Sequence, residues 1–359
     1  MTRLLIFTCF FASGACGLAY EVLWTRMLTL VFGTTVYSTS VVLTVFMAGL
    51  GLGAALGGRY ADRLRNPLRA YGILEVAIGL YCFFTPSLVR GIEALYAGWA
   101  VPAAPTAMLA LRAGLSFLAL IPPTVLMGAT LPMLSRFFVE RMVGAHSGAY
   151  ADGGHSPPYA GDAQSAPYRA VGGEVGRLYG INTAGAAFGC FAAGFISVPA
   201  FGVTWTVWTA AGLNVVIGLA AIALARGDFG LRISDFGLNG TRNAQYAIRN
   251  TEHASPAFAD ATADQRLAST PPTINHLPST IVLAAIGLSG FAALAYEVAW
   301  TRSLCIVFGT TVYAFSSMLT AFLVGLALGG WLFSWLARGA VRRGGLVGQV
   351  GQMETAPLF

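Results

Sequence analysis

Five residues sit where charge is expensive. Glu21, Arg26, Glu75, Glu297 and Arg302 all lie inside or at the ends of long apolar runs. A charge at the centre of a spanning helix costs about 2.5–3.5 kcal/mol on insertion scales. Carboxylates in such places either compensate a bound cation or pair with arginines. Glu21 and Arg26 are five residues apart, roughly 140° around a helix, so they cannot pair on one face. Glu297 and Arg302 repeat that spacing, and crosswise pairing (Glu21 with Arg302, Glu297 with Arg26) would satisfy all four. Glu75 follows Arg59, Arg63, Arg65 and Arg69 and is expected to pair with that cluster. Tyr20, Trp24, Tyr296 and Trp300 flank the two motifs. Counted from Arg3, Glu21 lies 18 residues along its helix, about 27 Å. That places the group near the outer interface, where aromatic belts and snorkelling arginines are ordinary. A purely structural role for these charges is therefore the alternative to a binding site.

The helices that position these residues come from a duplication. Ser13 to Tyr37 and Ser289 to Tyr313 are identical at 18 of 25 positions, and the likeness fades through Phe46, Gly49, Leu52 and Gly53 against Phe322, Gly325, Leu328 and Gly329. Composition makes the setting a membrane: 56% of residues are hydrophobic and 10% charged, against roughly 25% charged in soluble domains. The net charge of +6 comes from arginine alone, with no lysine. Basic loops that fix orientation explain it, without a nucleic-acid partner. Cys9, Cys16, Cys82, Cys190 and Cys305 stand singly in apolar runs, and the four histidines make no cluster. No disulfide framework, metal site, cofactor motif or catalytic constellation is read from them. SGAC at Ser13 to Cys16 faintly resembles a lipoprotein cleavage box. The same helix recurs in mid-chain without the Cys, so the first helix is expected to be retained.

Eight segments reach the roughly 20 apolar residues a spanning helix needs: 4–31, 36–58, 69–90, 106–138, 175–200, 203–225, 280–308 and 312–336. The expected fold is all-α, a polytopic helix bundle of about eight spans. Six helices fill 1–226, and the first two of a second repeat fill 279–337. A cytoplasmic loop, 142–172, and a linker, 227–278, are polar, aperiodic and expected to be disordered. The tail 338–359 carries no span. Arginines concentrate on alternate connections, which puts the N-terminus in the cytoplasm. Six helices then return the chain to its starting side, so the two repeats run parallel. Gly49, Gly53 and Gly57 form a smooth stripe for close packing, and Gly185 with Gly189 and Gly325 with Gly329 repeat it. GLGLGAALGG follows no strand and is not a dinucleotide loop. Pro122, Pro123 and Pro132 predict a kinked or broken fourth helix. Asn182 and Asn214 are expected to make interhelical hydrogen bonds.

Three stretches carry a family resemblance: SG–LAYEV–WTR–FGTTVY in both copies, PPTVLMGATLPMLSRF (Pro122 to Phe137) and GRLYGINTAGAAFGCF (Gly176 to Phe191). Together they resemble the membrane region of spermidine-synthase-like fused proteins, in which a transporter-like bundle precedes a polyamine aminopropyltransferase-like domain. The arrangement is also similar to the two halves of a major facilitator, and GGRYADRLRNPLR (Gly57 to Arg69) loosely resembles that superfamily's loop between helices 2 and 3. The resemblance implies a multi-pass protein of the bacterial inner membrane, in contact with the bilayer, and a connection to polyamines. The family's Gly-rich, acidic nucleotide-binding loop and its Rossmann-like sheet have no counterpart here, so no aminopropyl transfer is assigned to these residues. Six helices, a linker and two helices make an incomplete second half. The chain therefore reads as a fragment or truncated gene product from which a C-terminal synthase-like domain is missing. Two functions follow: binding or transport of a small cationic solute such as a polyamine, or a membrane anchor and scaffold for a synthase-like domain.

Overall fold

The computed structural model describes residues 2–33, 35–98, 105–151, 160–235, 279–309, 312–329 and Leu332. These residues are helical, and no strand occurs among them. In chain order the elements are α1 (Thr2–Phe32), α2 (Thr35–Ala61), α3 (Pro67–Gly98), α4 (Pro105–Ala151), α5 (Ala160–Phe191), a π-helical segment (Ala192–Ser197), α6 (Val198–Asp235) and α7 (Ser279–Phe308). A last helix, α8, covers Val312–Gly329. Seven helical runs are long and apolar enough to cross a membrane.

One of those runs, Val175–Arg226, is 52 residues long, about 78 Å if straight. The hydrocarbon core is about 30 Å thick, so a straight rod is too long. Gly202 breaks it, with φ 77° and ψ 173°, a conformation that only glycine adopts without strain. Contacts fix the directions of the two halves. A side chain on Gly185 or Gly189 would strike Phe11 or Ala15 of α1, so α5 runs parallel to α1. Gly72 lies against Gly218 and Gly79 against Ala211, so α6 runs antiparallel to α3. The chain therefore doubles back at Gly202, where the sequence separates two spans.

Close packing follows the small residues. Gly49, Gly53 and Gly57 of α2 meet Thr124, Val125 and Ala129 of α4, and a Cβ on Gly57 would sit 2.9 Å from the Ala129 Cα. Gly128 returns the contact against Leu50. The second-copy glycines differ: nothing lies within 4 Å of a Cβ built on Gly325 or Gly329. They line instead a cavity of about 940 Å³ between α7 and α8, beside Trp300, Leu304 and Phe322.

Prolines do not break the fourth helix as expected. Pro122, Pro123 and Pro132 lie inside α4, which is continuous. A proline at 123 frees the Ala119 carbonyl, and the Tyr81 hydroxyl donates to it at 2.8 Å. Pro86 of α3 frees the Cys82 carbonyl in the same way, and Thr85 donates to it at 2.8 Å. Within the segment expected to be irregular, 142–172, the backbone is helical to Ala151 and again from Ala160. Residues 152–159, 236–278 of the linker and 338–359 of the tail lie outside the described residues.

The chain divides into two compact units, Met1–Ala223 with Glu297–Phe359, and Leu224–Tyr296. The described part of the smaller unit is the end of α6 and the start of α7, itself apolar and exposed through Leu288 and Phe291. In the larger unit one core joins α1, α2, α3, α4 and α6 around Trp24, Tyr20, Phe46 and Cys82. A second joins Val22, Leu43 and Cys190 to Phe315, Met318 and Leu319 of α8.

Candidate functional site

The duplicated motif folds twice in the same way. Thr25 donates to the Glu21 carbonyl at 2.8 Å and Thr301 to the Glu297 carbonyl at 2.9 Å. Each helix then ends on a left-handed glycine, Gly33 with φ 70° and Gly309 with φ 66°. Their amides close on Thr29 and Cys305 at 2.9 and 3.0 Å, the αL termination that glycine permits.

The two copies differ in their surroundings. Tyr20 and Trp24 are fully buried and stacked, centroids 5.6 Å apart, so they belong to the core and not to an interfacial belt. Tyr296 and Trp300 are exposed. Glu21 and Glu297 each stand twelve residues before the glycine that ends their helix.

Glu75 is fully buried, and its partners are not the loop arginines. Ser13 of α1 donates to Oε1 at 2.5 Å, and the Asn214 amide of α6 donates to Oε2 at 2.6 Å. Tyr20 donates to the Asn214 carbonyl oxygen at 3.3 Å, extending the chain of bonds. One turn further, the Trp24 indole donates to Thr85 at 3.4 Å. Ser13, Tyr20 and Trp24 are spaced i, i+7, i+11, which aligns them on one stripe of α1. Tyr71, one turn before Glu75, is buried beside it, its hydroxyl short of a well-formed hydrogen bond. Among the described residues, the acidic residues that meet an arginine include Asp62, in the loop after α2, and Glu140 of α4. Arg136 of α4 reaches Asp62 at 2.7 Å and Glu140 at 3.0 Å, at the solvent-exposed end of the bundle. That leaves Glu75 free to turn inward.

Glu21 occupies another face of α1. Neither of its carboxyl oxygens has a hydrogen-bond partner, and Oε1 of Glu297 has none. The crosswise ion pairs are not formed. Arg302 is exposed and Arg26 half-buried, because five residues along a helix turn each guanidinium away from its own carboxylate. Glu21 instead lies in the field of Glu297, carboxyl against carboxyl. Cys190 of α5 sits beside both, donating weakly to the Ser316 carbonyl at 3.5 Å and lying close to Thr320. The Ser316 and Thr320 hydroxyls, on α8, are buried without partners. Directly after Cys190 the backbone widens into the π-helical Ala192–Ser197, where Gly194 lets Ser316 approach. π-Bulges occur often at functional sites. Nothing in the sequence announced this one, and Ser13, Thr85, Cys190, Ser316 and Thr320 carried no signal beyond being polar or small in apolar spans.

The arrangement defines an all-helical protein of the membrane-spanning kind, with two carboxyl clusters on different faces of its first helix. One curated protein is similar over part of the chain, "Polyamine aminopropyltransferase 2" of Streptomyces coelicolor. The identity is 34% over 98 residues, which cover 27% of this chain and 17% of that protein. The chain thus spans about a sixth of the length of the curated relative it matches. No protein-family model and no solved structure matches the chain.

Proposed function

We propose that this chain is a membrane region that binds or moves a small cationic solute, a polyamine fitting the site best. One observation carries the reading. Three carboxyl groups, Glu21, Glu75 and Glu297, are buried in an apolar bundle, and among the described residues none is paired with an arginine. Ser13 and Asn214 donate to Glu75 and hold its two oxygens in place. A buried carboxyl fixed in this way can take up a positive ligand. A polyamine carries several charges along a flexible chain, which matches carboxyls on more than one helix face. The proposed setting is a bacterial inner membrane, N-terminus in the cytoplasm, with two parallel major-facilitator-like repeats. Access to the buried site would come from rocking of one repeat against the other.

The partial likeness to a polyamine aminopropyltransferase favours a second reading, in which the bundle anchors a synthase-like domain and its charges are structural. Uptake of radiolabelled spermidine into proteoliposomes containing the chain separates the two. Saturable uptake above that of empty liposomes supports transport. A chain that is folded and inserted but gives no uptake and no binding leaves the anchor.

A further inference from the structure

We propose that Glu21 and Glu297, with the hydroxyls of Ser316 and Thr320, form a site that exchanges a proton for a monovalent metal cation. It uses two of the three carboxyls of the solute reading but rests on their unmet oxygens and leaves Glu75 aside. Glu21 and Glu297 are 0% and 2% exposed, Glu21 lies in the field of Glu297, and no donor reaches Oε1 or Oε2 of Glu21 or Oε1 of Glu297. Two further oxygens close by, Ser316 Oγ and Thr320 Oγ1, are also buried and unsatisfied. A buried polar group without a partner is costly, and a buried unpaired charge more so. Four such side chains gathered at one place, on α1, α7 and α8, are a cradle for something positive.

The groups facing the pair can be stated element by element. α1 contributes Glu21, α7 Glu297 and α5 the Cys190 thiol, while α8 contributes only hydroxyls. Arg26 and Arg302 do not reach either carboxyl. The donor atoms are hard oxygens, and no group of three or more His, Cys, Asp or Glu gathers among the described residues. Hard oxygen donors suit alkali and alkaline-earth cations over transition metals.

Neutrality then fixes the stoichiometry. Two protonated carboxyls are neutral, and so are one protonated carboxyl, one carboxylate and one monovalent cation. Interconverting these states breaks one carboxyl O–H bond, releases that proton to water and places the cation on the oxygen it left. The site draws a carboxyl from each copy of the repeat.

The test is proton release from the purified full chain in detergent or nanodiscs, in weakly buffered solution with a pH dye, on addition of NaCl. The expected result is about one proton per chain with NaCl and none with choline chloride. Each single variant, Glu21→Gln or Glu297→Gln, mimics one protonated carboxyl and keeps one exchangeable proton, whereas the double variant should abolish release. Asp62→Asn, at the exposed end of the bundle, should leave it intact. Ser316→Ala with Thr320→Val should shift the half-maximal NaCl concentration upward by at least several-fold. Absence of release between pH 5.5 and 8.5 from a chain with a helical spectrum overturns the proposal, as does release unchanged in the double Gln variant. Two protons released by CaCl2 with none by NaCl overturns the monovalent assignment. Spermidine binding on the same preparation is a separate readout. Its absence beside NaCl-driven release defeats the solute reading and leaves the ion site standing.

Discussion

Glu21 and Glu297 occupy the same position in two copies of one motif, 276 residues apart (297 − 21), and both are buried carboxyls, Glu21 within the field of Glu297. The repeated motif produces repeated backbone: the same threonine back-bond, the same glycine stop. Its glutamate is therefore delivered at the same height of each helix, twelve residues before the glycine stop. Its arginine, five residues on, is delivered to the far side. The motif thus puts two acids together and keeps two bases apart.

The polar chain at Glu75 sets the first expectation. Asn214→Leu removes the donor to Oε2 and strands the Tyr20 hydroxyl, which donates to the same side chain. Leaving buried polar groups unmet costs about 1–3 kcal/mol. The helical circular dichroism of the detergent-solubilised chain should melt at a lower temperature than wild type. Thr8→Val, which loses only an exposed back-bond to the Leu4 carbonyl, should cost less. Equal losses would mean that the carboxyl network holds α1, α3 and α6 no more firmly than an ordinary contact.

The glycine stripe gives a comparison within one chain. Gly53→Leu places a side chain into the backbone of α4 at Val125 and Gly128, whereas Gly329→Leu enters open space. Overpacking of this kind costs about 1–3 kcal/mol. The Gly53 variant should lose its fold at lower temperature or detergent load, and the Gly329 variant should behave as wild type. A reversed order would show that the second-copy stripe is the one in use.

Gly202 is the hinge of the long helical run. Any other residue there must adopt a backbone that costs about 1–3 kcal/mol. Gly202→Ala should destabilise, while Gly212→Ala, with open space around its Cβ, should be neutral or slightly stabilising. Matching melting curves for the two variants would remove the hinge.

Much of the architecture was legible because a membrane helix is written as a long apolar run. The two spans at 175–200 and 203–225 fall on either side of Gly202, although helical assignment alone joins them. Small residues marked the α2–α4 contact for the same reason: only small residues let two helix backbones approach. The extension of α4 over 142–151 and of α5 over 160–172 was hidden by Gly, Ser and Pro, which composition reads as loop. Partners were least legible. Glu75 has arginines near it in sequence, but one hundred degrees per residue and the packing of α6 turn it toward Ser13 and Asn214. Aromatics at Tyr20 and Trp24 look like a membrane belt in one dimension and are core in three. The π-helical segment beside Cys190 has no sequence signature at all.

Orientation is open to chemical labelling. A single cysteine in place of exposed Phe201, beside the Gly202 turn, should react with an impermeant maleimide added outside cells, and one at Asp62 should react only after permeabilisation. The opposite pattern would invert the proposed topology.

The central claim, that buried carboxyls hold a cationic solute, is tested most directly by equilibrium binding of radiolabelled spermidine to the purified chain in nanodiscs. Wild type should bind saturably, with competition from putrescine but not from an uncharged diol of equal length. Glu75→Gln should weaken binding by at least tenfold while the helical spectrum is retained. Saturable binding that is unchanged in Glu75→Gln, Glu21→Gln and Glu297→Gln alike, or no binding by a folded wild-type chain, would contradict it.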